Sequence, residues 1–195
     1  MNAGAQGSAV ATARRRGPAV PGEKTDSSPG TVRGRECQTG LSKVLLMSLD
    51  GEYVPSTSQW VRDQVEAYEA SGGQQANTLG DTGLAVIIVT TVGNKSGKVR
   101  KTPLMRVEHD GEYALVASMG GAPKHPVWYY NLKADPEAVQ IQDGFEPFAV
   151  RVHELSGEER ATWWERAVQA FAPYADYQVR TERQIPVFVA TRRTD

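Results

Sequence analysis

The rhythm of polar and apolar positions changes several times along this chain, and each change marks an element. Trp60, Val61, Val65 and Tyr68 recur at the spacing of one helical face after Ser58, and Gly72-Gly73 stops the pattern, so a helix is predicted over 58–71. Leu84 to Thr91 (LAVIIVTT) is an unbroken β-branched run, as expected of a strand buried on both faces. A turn over Gly93–Gly97 leads to a second strand, Val99–Glu108. Asp110-Gly111 is a hairpin signal before a third strand, Glu112–Ser118, with Tyr113, Leu115 and Ala117 on one face. Gly120-Gly121-Ala122-Pro123 then breaks the chain. Pro126, tolerated at a first helical position, opens a short helix carrying Trp128, Tyr129 and Leu132. Strands follow at about 138–143 and 146–155. Ser156 and Glu159 form a capping box for a helix to about Phe171, which Pro173 ends, and Ile185–Thr191 is a last β-rich stretch. Leu41–Tyr53 fits no pattern. Meandering strands with helices at their ends, and no βαβ alternation, imply an α+β fold built on a mostly antiparallel β-barrel of about six strands with flanking helices.

Aromatic residues set the domain boundary. All fifteen lie beyond Asp50, whereas residues 1–40 hold seven Gly, three Pro and only four large apolar side chains (Met1, Val10, Val20, Val32). Such a segment cannot offset its ordering entropy, so residues 1–50 are expected to be a disordered tail and 51–195 a single folded domain. The Arg14-Arg15-Arg16 triplet is followed by Gly17-Pro18 rather than an apolar stretch, which argues against a secretory or twin-arginine signal. A lone cysteine, Cys37, excludes an internal disulfide framework and a multi-cysteine zinc site. No run approaches the roughly 18 apolar residues of a membrane-spanning helix. A cytoplasmic protein is expected, with peripheral membrane contact through the 58–71 helix left open. The 22 basic and 23 acidic side chains give a net charge of -1. Because residues 1–40 hold six basic and three acidic groups, the remainder carries -4, which argues against nucleic acid as a partner.

Three segments hold candidate chemistry. Lys95, Lys98, Arg100 and Lys101 fall within residues 95–101 with no acid among them, beside a turn whose glycines leave N–H groups open. Such a loop suits phosphate or carboxylate; the plainer alternative is a solvated hairpin tip. The P-loop spacing is absent. Ser118-Met119-Gly120-Gly121-Ala122, running on to Pro126, joins a strand end to a helix start and makes a second anion cradle. Ser118 lacks a G-x-S-x-G surround, so hydrogen bonding suits it better than covalent catalysis. Phe171, Tyr174 and Tyr177, spaced by three in an expected loop, offer phenol donors or else pack in the core. Arg180, Glu182 and Arg183 read as a salt-bridged surface. His109, His125 and His153 show no ligand spacing, so no metal site is predicted.

Together, VTTVGNKSGKVRKTPLMRVEHDGEYALVASMGGAPKHPVWYYNLKADP and the ending PYADYQVRTERQIPVFV resemble the deazaflavin-dependent nitroreductase family, within the split β-barrel flavin/deazaflavin oxidoreductases. The resemblance covers roughly residues 58–191. It implies a split β-barrel binding reduced coenzyme F420 (F420H2), which has a deazaflavin ring, a phosphate and a polyglutamate tail. Lys95, Ser96, Lys98, Arg100 and Lys101 would then meet the phosphate and tail. Ser118, Met119, Gly120, Gly121, Ala122, Pro126 and Trp128 would lie along the ring and linker, with Thr102 and Pro103 shaping the strand edge. Ser118, Tyr174 and Tyr177 would serve the acceptor in catalysis. Met119, Phe171 and Asn94 depart from family positions that can carry lysine, tyrosine and a basic residue, and put nitroimidazole reduction in doubt. Quinones and conjugated lactones or enones remain open as small-molecule acceptors. An FMN-dependent enzyme of the same superfamily and a non-catalytic coenzyme or lipid carrier are the alternatives, and both monomer and homodimer stay open.

Overall fold

The computed structural model describes Leu49 and residues 51–194. The expected tail, with Arg14–Arg16 and Cys37, lies outside the described residues, apart from Leu49. Four helices, α1 (Gln59–Ala70), α2 (Val127–Ala134), α3 (Gly157–Ala170) and α4 (Pro173–Val179), surround seven strands. The strands are β1 (Val86–Val92), β2 (Val99–Met105), β3 (Glu108–His109), β4 (Glu112–Val116), β5 (Val139–Gln142), β6 (Pro147–Glu154) and β7 (Val187–Arg192). They form one curled antiparallel sheet in the order β2-β1-β5-β6-β7-β4-β3, a split β-barrel with one strand more than the pattern predicts. The extra strand arises because Val99–Glu108 divides into β2 and the two-residue β3 at Arg106-Val107.

Alternation along the strands sorts the core into two layers. Val86 and Ile88 of β1, Ala114 and Val116 of β4, and Val187 and Val189 of β7 pack with Val65, Tyr68, Trp163 and Tyr174 of the outer helices and with Phe171, between α3 and α4. Their neighbours Ile87 and Val89, Tyr113 and Leu115, and Phe188 and Ala190 face inward with Trp128 and Leu132 of α2. β1 is thus buried on both faces, as its composition predicts, and each fully buried isoleucine there contributes about 1.5–3 kcal/mol.

The hairpin tip adopts left-handed φ at both Asp110 (+52°) and Gly111 (+82°), the type I′ geometry its sequence signals. Beyond the paired β3–β4 end, where the Ala114 N–H donates to Val107 O at 2.8 Å, β2 and β4 are not sheet neighbours. That opening is the split of the barrel. Pro103, without an N–H to donate, sits on the edge strand β2 where such a residue is tolerated.

Three local expectations are corrected. Ser156 precedes α3 in an extended conformation but makes no side-chain cap, and Glu159 instead lies 3.7 Å from His153. Pro173 does not end α3, which stops at Ala170; it opens α4, where a missing N–H costs nothing. The tyrosines after it therefore lie on a helix, not in a loop. The segment around Tyr53, which fits no pattern, forms a parallel bridge to Val99 and so extends the sheet edge. Among the described residues no helix is long and apolar enough to cross a membrane.

Candidate active site in the barrel split

The turn between β1 and β2 is held from within. The Gly93 N–H donates to Lys98 O at 2.8 Å, the Ser96 and Gly97 N–H groups donate to Gly93 O, and the Lys98 N–H donates to Ser96 Oγ at 3.3 Å. Asn131 of α2 fixes the turn from outside: buried, it accepts from the Asn94 N–H at 3.1 Å and donates to Thr91 Oγ1 at 3.0 Å.

The four bases of this segment have different surroundings. Lys98 pairs with Glu52. Lys101 Nζ meets both carboxylate oxygens of Glu69, at 2.5 and 2.8 Å, and stands 4.9 Å from the centre of the Tyr53 ring. Arg100 donates to the Val54 carbonyl at 3.2 Å, a neutral partner. Lys95 is exposed and has no ion-pair partner among the described residues. Acids absent from the segment itself are thus supplied by residues 52–69. A groove of about 390 Å³ runs beside the turn, walled by Lys95, Ser96, Arg100, Lys101, Thr102 and Trp128. Lys98 is not brought into it.

A second groove, about 410 Å³, occupies the split itself. Pro103, Leu104 and Met105 of β2 form one side, with Val116, Ser118, Met119 and Gly120 opposite; Pro126, Phe171, Tyr174 and Tyr177 also line it. Trp128 belongs to both grooves, so the basic groove and the apolar one share a wall.

The loop after β4 has an unusual backbone. Met119, Gly120 and Gly121 all have left-handed φ, at +48°, +65° and +82°. At Gly121 this is coupled to packing: a Cβ there would lie 2.6 Å from Tyr177 O and 3.0 Å from Arg180 Cβ, so only glycine lets α4 approach. Gly121 is therefore a floor beneath α4 rather than part of either lining, and Ala122 likewise stays outside both. Gly120, by contrast, has nothing within 4 Å of its would-be Cβ.

On α4, Tyr174 is only 5% exposed and meets Phe171 edge-on at 5.0 Å, with Tyr177 6.3 Å away. Burial, and to a lesser extent Tyr177, pushes the Tyr174 phenol well above its ordinary range, so it stays protonated. The Ser118, Tyr174 and Tyr177 hydroxyls have no hydrogen-bond partner among the described residues. Their placement along one groove leaves donors available to a bound oxygen atom.

Several contributors carry no sequence signal for the site, Trp60 reading only as part of a helical face. Trp60 and Leu79, from α1 and the segment after it, complete the apolar groove. Arg183, expected on a salt-bridged surface, instead donates to carbonyls of the loop after β4. His125 stacks on Tyr129 at 4.2 Å, and burial and then the Arg183 charge hold its pKa below the usual histidine range.

A family model described as F420H(2)-dependent quinone reductase matches residues 60–192. An F420H(2)-dependent quinone reductase of Mycobacterium tuberculosis (strain ATCC 25618 / H37Rv) is 38% identical over 110 residues, covering 55% of this chain and 73% of that protein. A second protein of that strain, named a putative F420H(2)-dependent quinone reductase, is 38% identical over 99 residues, covering 51% and 82%. Among solved structures, an F420-H2 dependent reductase, FDR-A, is 55% identical with a TM-score of 0.51, over 54% of this chain and 92% of that one. Another, described as a domain-swapped dimer, is 47% identical with a TM-score of 0.54, over 69% and 99%. The fold and these relatives define an oxidoreductase of the split β-barrel class. The chain belongs to the F420H(2)-dependent quinone reductase family.

Proposed function

We infer that this protein reduces a quinone with F420H2, binding the coenzyme across the two grooves that meet at Trp128 and the acceptor in the apolar one. The observation carrying this reading is that shared wall: a basic groove suited to an anionic tail runs into an apolar split suited to a planar ring. Family membership favours F420 over FMN.

The residues fit the coenzyme. Lys95 and Arg100, neither held by a carboxylate, are the cations free to bind phosphate or glutamate, with Lys101 available once Glu69 yields. Trp128 and the open backbone at Gly120 accept a flat ring. When bound, the coenzyme supplies a hydride from C5 of its reduced deazaflavin. The chain's own part is to align the acceptor, exclude water with Leu104, Met105, Val116 and Phe171, and stabilise the charge that forms on the acceptor oxygen. Ser118 Oγ and the Tyr174 or Tyr177 hydroxyl donate to that oxygen, and the raised pKa of Tyr174 suits a donor that must remain protonated. One such preorganised donor is worth about 3 kcal/mol in the barrier. The 47%-identical relative described as a domain-swapped dimer supports a homodimer, to be checked by light scattering, where a monomeric mass would exclude it.

Fluorescence titration with F420 followed by anaerobic oxidation of F420H2 by menadione tests the reading. Saturable binding with acceptor-dependent oxidation is expected. Binding without turnover of any quinone would leave a coenzyme carrier, and absence of binding would end the F420 assignment.

A further inference from the structure

One wall of the apolar groove is held from behind by Arg183. Its Nη2 donates to the carbonyls of Ala117 at 3.1 Å and Ser118 at 2.9 Å, its Nε donates to Ala122 O at 2.9 Å, and its Nη1 lies 3.3 Å from His125 Nδ1. Arginine has no acceptor, so His125 Nδ1 accepts and the ring proton sits on Nε2. No carboxylate lies at ion-pair distance from Arg183 among the described residues. The Ser118 and Ala122 carbonyls bracket the three left-handed residues Met119, Gly120 and Gly121. A non-glycine residue such as Met119 keeps that conformation only where its surroundings over-determine it. Arg183 is in turn tied to α4: its carbonyl accepts from Gln178 Nε2 at 2.9 Å, while Gln178 Oε1 accepts from the Ile185 N–H at 2.8 Å.

Arg183 therefore joins two neighbouring parts of the groove lining, the loop that carries Ser118 and the helix that carries Tyr174 and Tyr177. We propose that Arg183 is a positioning residue for the reduction, holding the Ser118–Ala122 backbone against α4 so that the Ser118 hydroxyl is kept in the groove that Tyr174 and Tyr177 also line. The proposal rests on the reading of Ser118 as a donor to the acceptor. Only a planar fork can serve several carbonyls and a ring nitrogen from one stem; a lysine ammonium is a point charge and a glutamine offers one amide.

A double-mutant cycle tests it, with menadione turnover measured at saturating F420H2 for the wild type, Arg183→Gln, Ser118→Ala and the double variant. Arg183→Gln is expected to lower kcat by roughly ten- to a hundredfold, the scale of misplacing a reacting group by about an ångström. Saturating F420H2 keeps any weakening of coenzyme binding at Gly120 out of kcat, and the double variant should be no slower than Ser118→Ala, because a residue acting through Ser118 has nothing further to lose. Arg183→Lys, which keeps the charge without the fork, should recover little of the loss. Multiplicative losses, an unchanged kcat in Arg183→Gln or in Ser118→Ala, or full activity in Arg183→Lys would each overturn the proposal. If Arg183→Gln does not fold, the same cycle run with Arg183→Lys decides. A wild type that turns over beside an equally fast Arg183→Gln removes only the role of Arg183, whereas a wild type that binds no F420 removes the functional reading and this proposal together.

Discussion

Single side chains decide the charge of the basic groove, and they do so in pairs that are not visible in order along the chain. The cluster Lys95–Lys101 is legible in the sequence as four cations without an acid. Glu52 and Glu69, which neutralise Lys98 and Lys101, lie 46 and 32 residues away, and nothing in a linear pattern links them. Two opposite substitutions follow. Lys95→Ala with Arg100→Ala should weaken F420 binding about tenfold or more, since a charge-assisted bond contributes about 1.5–3 kcal/mol. Glu69→Gln should tighten it by roughly threefold, the scale of a partly exposed ion pair, by releasing Lys101. Both effects are read by the same titration, and tighter binding in the first variant or weaker binding in the second would show that these groups do not compete for one anion. Tyr174 is legible as a residue but not in its setting: Pro173 reads as a helix stop, yet the short α4 it opens is stabilised by aromatic packing that local preference does not report.

Elements, in contrast to side-chain partners, are largely readable. The buried β1, the amphipathic α1 and the Asp110-Gly111 turn follow from periodicity and turn chemistry, because each depends on near neighbours. What is not readable is how β2 parts from β4 beyond the β3–β4 hairpin, since that depends on strand order. The loop after β4 joins the two levels. Gly120→Ala should cost about 1 kcal/mol, the backbone penalty alone, because nothing occupies the added methyl's space. Gly121→Ala adds a collision with the α4 backbone, so its melting temperature should fall further and menadione turnover should drop as Tyr177 is displaced. Equal stability and equal activity in the two variants would contradict the packing described here.

At the scale of the whole molecule, the split is closed at one end by a polar knot. Tyr113 of β4 donates to Asp143 Oδ2 at 2.8 Å, and Arg106, just beyond β2, donates Nε to the same oxygen at 2.8 Å. Burial first, and then the Asp143 carboxylate, push the Tyr113 phenol up to about 12. Between its unfolded value near 10 and this folded value, the folded state keeps a proton that the unfolded chain has lost. Stability from this group is therefore complete below pH 10 and declines as pH rises from 10 through 12. Urea midpoints across that range should fall, and Tyr113→Phe should fall less steeply; an identical slope would exclude the phenol as a contributor. The separate origin of the groove's charges has a further consequence for how such a protein diversifies. Arg100 and Lys101 sit on β2, whose register the barrel depends on, and Lys95 and Lys98 in the turn that leads into it, whereas the opposing carboxylates of Glu52 and Glu69 lie outside the barrel strands. Inherited changes confined to that segment can retune appetite for anionic ligands across generations while the sheet beneath is left to conserve its pairing.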